Sequence, residues 1–443
     1  QFVNNVVYNW GNGGAYIMGD TEQTSEADIR NNYFIVGATF NYDGKTLGAT
    51  APFTRYNEHF RAHLSGNYYD ENKDGVLNGR ELTREDCTKR KQESGTEVVI
   101  TPTFLDKPSD VHPAIEGLMT ARDAYGIGRK PCIKAPDASL YTILVRNSDY
   151  LTLQNLEVVN TGTERLAHRT GVKVLCENYG VSHNIILNAL EIHDVNGSLI
   201  KQKGGGSGIL IVNKGQDVIS TFDGLTIENC IIRRCERNGM IWSSYSSRNN
   251  WHPSTNTVVR KNLIEEVPGD GIVPIGCEGA LIEYNLMRNC PGTLPHSEAA
   301  AGFWPWSCDN TVLQFNEVSD HKAPWDAQGF DSDYNCHNTT IQYNFSHDND
   351  GGMVLICNSG TDGGVGNQGT VVQYNVSIND AIRPRATRSG IFSATIHIGG
   401  PCENTLINNN ILHVNPKTAS FIDRSIITSD SWDGYANNTI FKE

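Results

Sequence analysis

A short phrase recurs down this chain of 443 residues: alternating apolar residues, an asparagine, then a polar turn closing on glycine. It reads Leu151-Thr-Leu-Gln-Asn155, Leu225-Thr-Ile-Glu-Asn229, Leu281-Ile-Glu-Tyr-Asn285, Val312-Leu-Gln-Phe-Asn316, Thr340-Ile-Gln-Tyr-Asn344 and Val371-Val-Gln-Tyr-Asn375. Weaker copies bring Asn188, Asn262 and Asn409 to the same slot, and successive asparagines are 33, 41, 33, 23, 31, 28, 31 and 34 residues apart. A strand-built repeat of this length cannot bury its own apolar face, so copies must stack into a solenoid. An asparagine amide donates and accepts, so a column of them can bridge one coil to the next. The pattern predicts an all-β chain folded as a right-handed parallel β-helix. Its main domain is expected over 141–443, with the repeat continuous to about Asn415 and the tail from Ile422 to Glu443 adding a strand or a cap.

Charged residues make up 19% of the chain and the net charge is -14. That balance argues against a nucleic-acid partner, which needs a basic face, while an acidic polymer stays possible through bound calcium. No apolar run is long enough for a membrane-spanning helix. Gln1 begins in mid-strand with no initiating methionine, so it is read as a processed or truncated edge. Of the eleven cysteines, Cys277, Cys308, Cys336 and Cys357 recur after strand-opening glycines. They are expected as a stacked column of buried thiols inside the helix. The sequons at Asn344 and Asn375 fall on ladder residues, whose burial makes those two matches accidental.

Residues 1 to about 70 carry Asn4-Asn-Val-Val-Tyr-Asn-Trp-Gly11, Ile29-Arg-Asn-Asn-Tyr33 and Ser65-Gly-Asn-Tyr-Tyr69, with Asn5, Asn32 and Asn67 at ladder-like positions. This segment resembles the C-terminal coils of the pectate lyase family. In that family the catalytic arginine and the calcium-binding acids lie upstream of it, so the resemblance assigns no catalytic residue here. Asp70-Glu-Asn-Lys-Asp-Gly-Val-Leu-Asn-Gly-Arg-Glu81 has the spacing of an EF-hand calcium loop. Asp70, Asn72, Asp74, the Val76 carbonyl, Asn78 and Glu81 would supply oxygens to one calcium ion, and a single unpaired loop predicts a structural clip. The first domain is placed at 1–82 and a charged connector at 83–140, with a short helix from Leu118 to Tyr125.

The larger part resembles the broad class of secreted, carbohydrate-active proteins with parallel β-helix repeats, through Phe303-Trp-Pro-Trp-Ser-Cys-Asp-Asn310 and Gly329-Phe-Asp-Ser-Asp-Tyr-Asn335. That class includes glycosidases, lyases and epimerases. Glycine opens one strand per coil at Gly208, Gly239, Gly271, Gly302, Gly329, Gly352 and Gly390. The first and third residues after it should face the core and the second and fourth should face outward. Most outward residues are aliphatic, but two adjacent coils place Trp304 and Trp306, then Asp331 and Asp333, on that face. Indoles beside paired carboxylates suit sugar cleavage, and strand interiors disfavour aspartate, which marks the pair. Strand rise puts residues two apart at about 6.5–7 Å, at the lower edge of the ~6.5–9.5 Å of inverting glycosidases.

The neighbouring turns add His321, Lys322, Trp325 and Asp326 before that strand and His347 and Asp348 after it. Arg383, Arg385, Arg388 and His397 follow one to two coils on. Catalysis is expected from Asp331, Asp333 and Asp326, with Lys322 or His321 as base if the reaction is elimination. Trp304, Trp306, Trp325, His347, Asp348, Arg383, Arg385 and His397 are expected to hold substrate. The expectation is a secreted, monomeric, calcium-containing enzyme that cleaves glycosidic bonds in a pectin-like or other uronic-acid polysaccharide. The carboxylate pair favours hydrolysis and the pectate lyase resemblance favours elimination. A non-catalytic carbohydrate-binding solenoid is the reading from another class.

Overall fold

The computed structural model describes residues 2–10, 15–17, 22–37, 51–54, 57–74, 78–87, 89–107, 120–121, 130–360, 362, 365–384, 394–417 and 425–443. The chain forms two compact units, Gln1–Pro131 and Cys132–Glu443. In the first, strands Phe2–Val3, Ser25–Arg30, Phe60–Ser65 and Thr103–Phe104 pair in parallel as one wall. Val6–Tyr8, Tyr33–Ile35 and Tyr68–Asp70 make a second wall. Asn5 Nδ2 donates to Asn32 Oδ1 at 3.0 Å and Asn32 Nδ2 to Asn67 Oδ1 at 2.9 Å, which is the expected ladder. Part of the expected connector belongs to this unit. Lys89–Glu93 pairs antiparallel with Thr96–Ile100, and Thr103–Phe104 continues the first wall. Of the helix expected from Leu118 to Tyr125, only Thr120 and Ala121 lie within the described residues.

The calcium-loop motif is flanked by strands and not by the two helices of a hand: Tyr68–Asp70 leads in, and antiparallel Arg80–Glu81 leads out. Val76 lies outside the described residues. Around it, Asp74 N donates to Asn72 Oδ1 at 3.1 Å, Asn78 N to Asp70 Oδ2 at 3.2 Å and Asn78 Nδ2 to Asp74 Oδ2 at 2.8 Å. The ligand-type side chains of Asp70, Asn72, Asp74 and Asn78 are thus gathered into one turn, while Glu81 is exposed on its strand.

The second unit stacks long parallel sheets as in a β-helix. A ten-stranded wall runs from Cys132–Lys134 to Ile411–His413, and a twelve-stranded wall runs from Thr152–Gln154 to Ile440–Lys442. The third wall is divided into five strands, Tyr141–Arg146 to Ile272–Val273, and four strands, Phe330–Ser332 to Ile427–Asp430. Between the two parts lies Phe303–Trp306, joined only by single bridges such as Ile272 to Phe303, Phe303 to Phe330 and Ile275 to Trp306. Pro305 explains the gap, because it has no N–H to give to a ladder.

The asparagine column is shorter than the sequence suggested. Asn262, Asn285, Asn316, Asn344, Asn375 and Asn410 pass Nδ2 to Oδ1 bonds of 2.9, 3.0, 3.1, 3.0 and 2.9 Å from coil to coil. The same oxygens accept the preceding asparagine's backbone N–H. Asn344 and Asn375 are buried, as expected for ladder residues. In the earlier coils the slot holds Leu156, Leu190 and Cys230. Asn155, Asn229 and Asn409 sit one residue before it, with φ of 57°, 56° and 52°, and Asn188 pairs with Glu228 at the end of a strand. The strand register aligns Thr152 with the Leu281 column, so the early phrases begin one residue sooner and aligning on asparagine slips by one.

Candidate active site

The site lies on the outer face of the divided wall. Its inner face is one apolar column: Ile209, Met240, Ile272, Phe303, Phe330, Val354 and Ile396 follow one another in register, all at 0% exposure. Alternation along each strand then sends the next residue outward. The outer column is Leu210, Ile241 and Val273, and after the gap Asp331, Leu355, His397 and Thr428. One expectation fails here. Val354 and Ile356 face inward and Leu355 and Cys357 outward, because Gly329 is matched by Met353 and not by Gly352. Aligning on Gly352 therefore inverted the pleat of that coil, and Cys357 leaves the inner thiol column. Cys277, Cys308, Cys336 and Cys402 occupy the core.

Asp331 and Asp333 project together into the face. One carboxylate oxygen of each and Cys357 Sγ lie within 4.8 Å of one another. This is closer than backbone rise implies, because the two side chains converge, so the inverting-type spacing expected from the sequence is not realised. Asp331 is only 4% exposed and its Oδ1 has no hydrogen-bond partner among the described residues. Burial, followed by the charges of Asp333, Asp326 and Asp270, raises its carboxyl well above the usual range, so it holds a proton. Asp333 is also raised by burial, but the Tyr334 N–H, the Cys357 thiol and Lys201 favour its ionised form. Of this coupled pair, Asp333 is the anion. Asp326 is half-buried in the turn before the strand, with φ of 59°. Burial, then the charges of Asp333 and Asp270, push it up to about 7 against the pull of Lys201 and Arg383.

One flank of the carboxylates is aromatic. Trp304 is 4% exposed and Trp306 is half-buried, with ring centroids 6.4 Å apart, and Tyr334 meets Trp306 edge-on at 5.9 Å. Trp304 is thus less open than expected. It packs against Val273 and Ala301, and its Nε1 donates to Asp270 Oδ1 at 3.1 Å. Asp270 also accepts the Ala301 N–H at 3.1 Å and Arg237 Nη1 at 2.9 Å. Arg237, at 0% exposure, reaches Glu298 at 3.4 Å and the Ala299 carbonyl at 2.9 Å. Lys201 Nζ stands 5.1 Å from the Trp304 ring centroid and 6.0 Å from that of Trp306. On the other flank, Trp325, Tyr334 and Trp432 pack on Leu355 and Cys357. His397 lies 5.8 Å from the Trp432 ring and 2.6 Å from Thr428 Oγ1.

Other predicted residues are placed elsewhere or occupied. His321 is fully buried, with Nε2 2.9 Å from the Gly269 carbonyl and Nδ1 accepting the Ala323 N–H, and burial lowers it to about 4. Lys322 Nζ donates to the Asp348 carbonyl at 2.6 Å and pairs with Asp350 at 3.3 Å. Neither is poised as a base. Arg383 is buried and donates to the carbonyls of Ala323, Pro324 and Asp326 at 2.8, 2.8 and 2.6 Å, so it clamps the turn that carries Asp326. His347 lies on a strand of the ten-stranded wall, bonded to Asp348 at 2.8 Å. Arg385 and Arg388 lie outside the described residues.

Sequence reasoning missed Asp270, Arg237, Glu298, Lys201 and Cys357. A signal existed for Asp270. The residues immediately before Gly208, Gly239, Gly271, Gly302 and Gly329 are Ser207, Asn238, Asp270, Ala301 and Gln328, and among them Asp270 alone is charged.

No family model matches the chain. It is similar to carbohydrate-active proteins. A lacto-N-biosidase of Bifidobacterium longum subsp. longum is 27% identical over 353 residues, covering 64% of this chain and 21% of that protein. The probable pectate lyase C of Aspergillus terreus is 52% identical over 82 residues, 18% of each chain. The chain therefore spans about a fifth of the length of these curated relatives. Among solved structures, a lacto-N-biosidase from Eubacterium ramulus aligns at a TM-score of 0.49 and 23% identity, over 72% of this chain and 57% of that one.

Proposed function

We propose that the unit Cys132–Glu443 is a glycoside hydrolase that cleaves a neutral oligosaccharide, with release of lacto-N-biose as the first activity to test. The observation that carries this is the trio Asp326, Asp331 and Asp333, the last two on one outer face and Asp326 in the turn that leads to it, with Asp326 at about 7 and Asp333 held as the anion. Two carboxyls whose environments push them apart divide into acid and anion. Asp326 protonates the departing glycosidic oxygen, and Asp333 faces the anomeric carbon. Asp331 keeps its proton and donates a hydrogen bond from it to a sugar hydroxyl, and Trp304 and Trp306 supply the apolar flank. The sequence relative named a lacto-N-biosidase supports the same reaction class.

Hydrolysis is preferred over elimination because His321 and Lys322 are already engaged. A neutral substrate is preferred over a uronate because Asp333 is the anion at the reacting position, and Arg383, the described cation expected to take a substrate carboxylate, is spent on the carbonyls of Ala323, Pro324 and Asp326. A chromogenic lacto-N-bioside and polygalacturonate, each incubated with the purified chain, separate the readings. Release of the chromophore with no reaction on polygalacturonate is the expected result. Near-ultraviolet absorbance growing on polygalacturonate would move the assignment to a lyase. The first-formed anomer, read by proton resonance, shows whether Asp333 attacks the carbon or activates water.

We also propose that the 70–81 turn binds one calcium ion as a clip, supported by the converging side chains of Asp70, Asn72, Asp74 and Asn78. Calcium should raise the melting temperature of the parent and leave that of Asp70→Ala unchanged.

A further inference from the structure

Asp333 is restrained through one of its two oxygens. The Tyr334 amide donates to Oδ1 at 2.7 Å, and Cys357 Sγ lies 3.2 Å from that same Oδ1. Cys357 arrives there by register. Leu355 pairs with Asp331, so Cys357, two residues on, stands beside Asp333 on the outer face, 2% exposed. Core thiols of this unit behave differently: Cys277, Cys308, Cys336 and Cys402 direct their sulfurs at backbone carbonyls, at 3.7, 3.5, 3.4 and 3.7 Å. Burial, followed by the charges of Asp333 and Asp331, keeps Cys357 a thiol, so its proton is available for donation. Among the described residues, the other charged or titratable groups around Asp333 are Asp331 on its own strand, Asp326 in the preceding turn, Asp270 and Lys201 from earlier coils, Tyr334 next in sequence, and the core thiols Cys336 and Cys402.

We propose that Cys357 is a positioning residue for the hydrolysis: its S–H fixes Asp333 Oδ1 and turns Oδ2 toward the groove as the reacting oxygen. The proposal rests on the reading of Asp333 as the reacting anion. A donor to the ionised form favours that form, and a thiol is a weak donor, so the effect is graded and not all-or-none. Alanine removes the proton donor. Serine restores one in nearly the same volume.

The test is the pH dependence of kcat/KM for parent, Cys357→Ala and Cys357→Ser on the chromogenic glycoside, with melting temperatures alongside. Cys357→Ala should lose about tenfold in kcat, the scale of one hydrogen bond to a charged group. Its acidic limb should move to higher pH and KM should stay near the parent value. Cys357→Ser should return the limb toward the parent. An unshifted limb in Cys357→Ala, or equal losses in both variants, would make Cys357 a packing residue and overturn the proposal. A second readout does not depend on either variant folding: the S–H infrared band of the parent minus that of Asp333→Asn. A difference band is expected from the lost thiol-to-carboxylate bond, and a flat difference contradicts it. Full activity in Asp333→Asn would sink the reading of Asp333 while leaving the infrared result to judge the thiol bond alone.

Discussion

The ten- and twelve-stranded walls and the divided wall are built from the same coils, yet they use side chains in opposite ways. On the twelve-stranded wall outward features repeat over successive coils, and on the ten-stranded wall unlike charges answer one another, as Glu265 does Arg288. Gln373 Nε2 bonds Gln342 at 2.8 Å, Gln342 bonds Gln314 at 3.0 Å and Gln314 bonds Glu283 at 2.9 Å. Tyr284, Phe315, Tyr343 and Tyr374 stack at 5.1, 5.3 and 5.2 Å, close to the spacing of neighbouring strands. Polar and aromatic groups there are satisfied by their own copies in the next coil. On the divided wall the column runs Val273, Asp331, Leu355, His397 across the gap at Phe303–Trp306, and no residue meets its own kind. The Asp331 Oδ1 that lacks a partner among the described residues, and the raised carboxyls of Asp326, Asp331 and Asp333, collect where the repeat stops. The lesson is that stacking stabilises the solenoid, and interruption of stacking frees side chains for chemistry.

If this contrast is right, activity and stability should separate by wall. The largest effect is expected from Asp333→Asn and Asp326→Asn, each lowering kcat by roughly 10³-fold or more. Because each removes a carboxyl crowded by like charges, melting temperature should hold or rise. Steady-state kinetics and calorimetry on the same samples check both halves.

Next comes Arg237→Ala, which strips the cation from the buried carboxylates of Asp270 and Glu298 and should cost about 3–5 kcal/mol. Denaturant unfolding measures the cost. Trp304 loses its fixed orientation in the same variant, so substrate binding should weaken too.

On the repetitive side, Asn316→Ala removes the acceptor of Asn285 and should cost roughly 2–3 kcal/mol with kcat unchanged. The smallest effect is a pH slope. Asp326 and Asp380 are raised by burial to about 7 and about 6, so the native state holds protons that the unfolded chain has already released. Stability should therefore be full near pH 4 and fall as pH rises through about 6 to 7. Asp326→Asn should flatten the upper part of the slope, which melting curves across that range would show. Turnover should decline over the same interval as Asp326 loses its proton.

The repeat made the stacked parallel sheets legible, and the rarity of aspartate inside strands made Asp331 and Asp333 legible. Both signals are local. What escaped was carried by registration between coils. A slip of one residue at Leu156 and Cys230 and of two at Leu190 hid the true ladder slot, and a slip of one turned Leu355 and Cys357 to the wrong face, because neither asparagine nor glycine marks register when a coil gains or loses a residue. Arg383 read as a substrate ligand because a guanidinium suits carboxylates, but it is spent on carbonyls of the turn before the strand. Arg237, Asp270 and Glu298 come from three different coils, and only the stacked structure brings them together beneath Trp304.

The most direct test is a side-by-side turnover measurement on the chromogenic glycoside with four samples: the parent, Asp326→Asn, Asp333→Asn and Asn316→Ala. Chromophore release by the parent and by Asn316→Ala, with none above background from either aspartate variant, is the predicted result. Release by an aspartate variant at the parent rate, while it remains folded, would contradict the claim that the interrupted wall is the catalytic one.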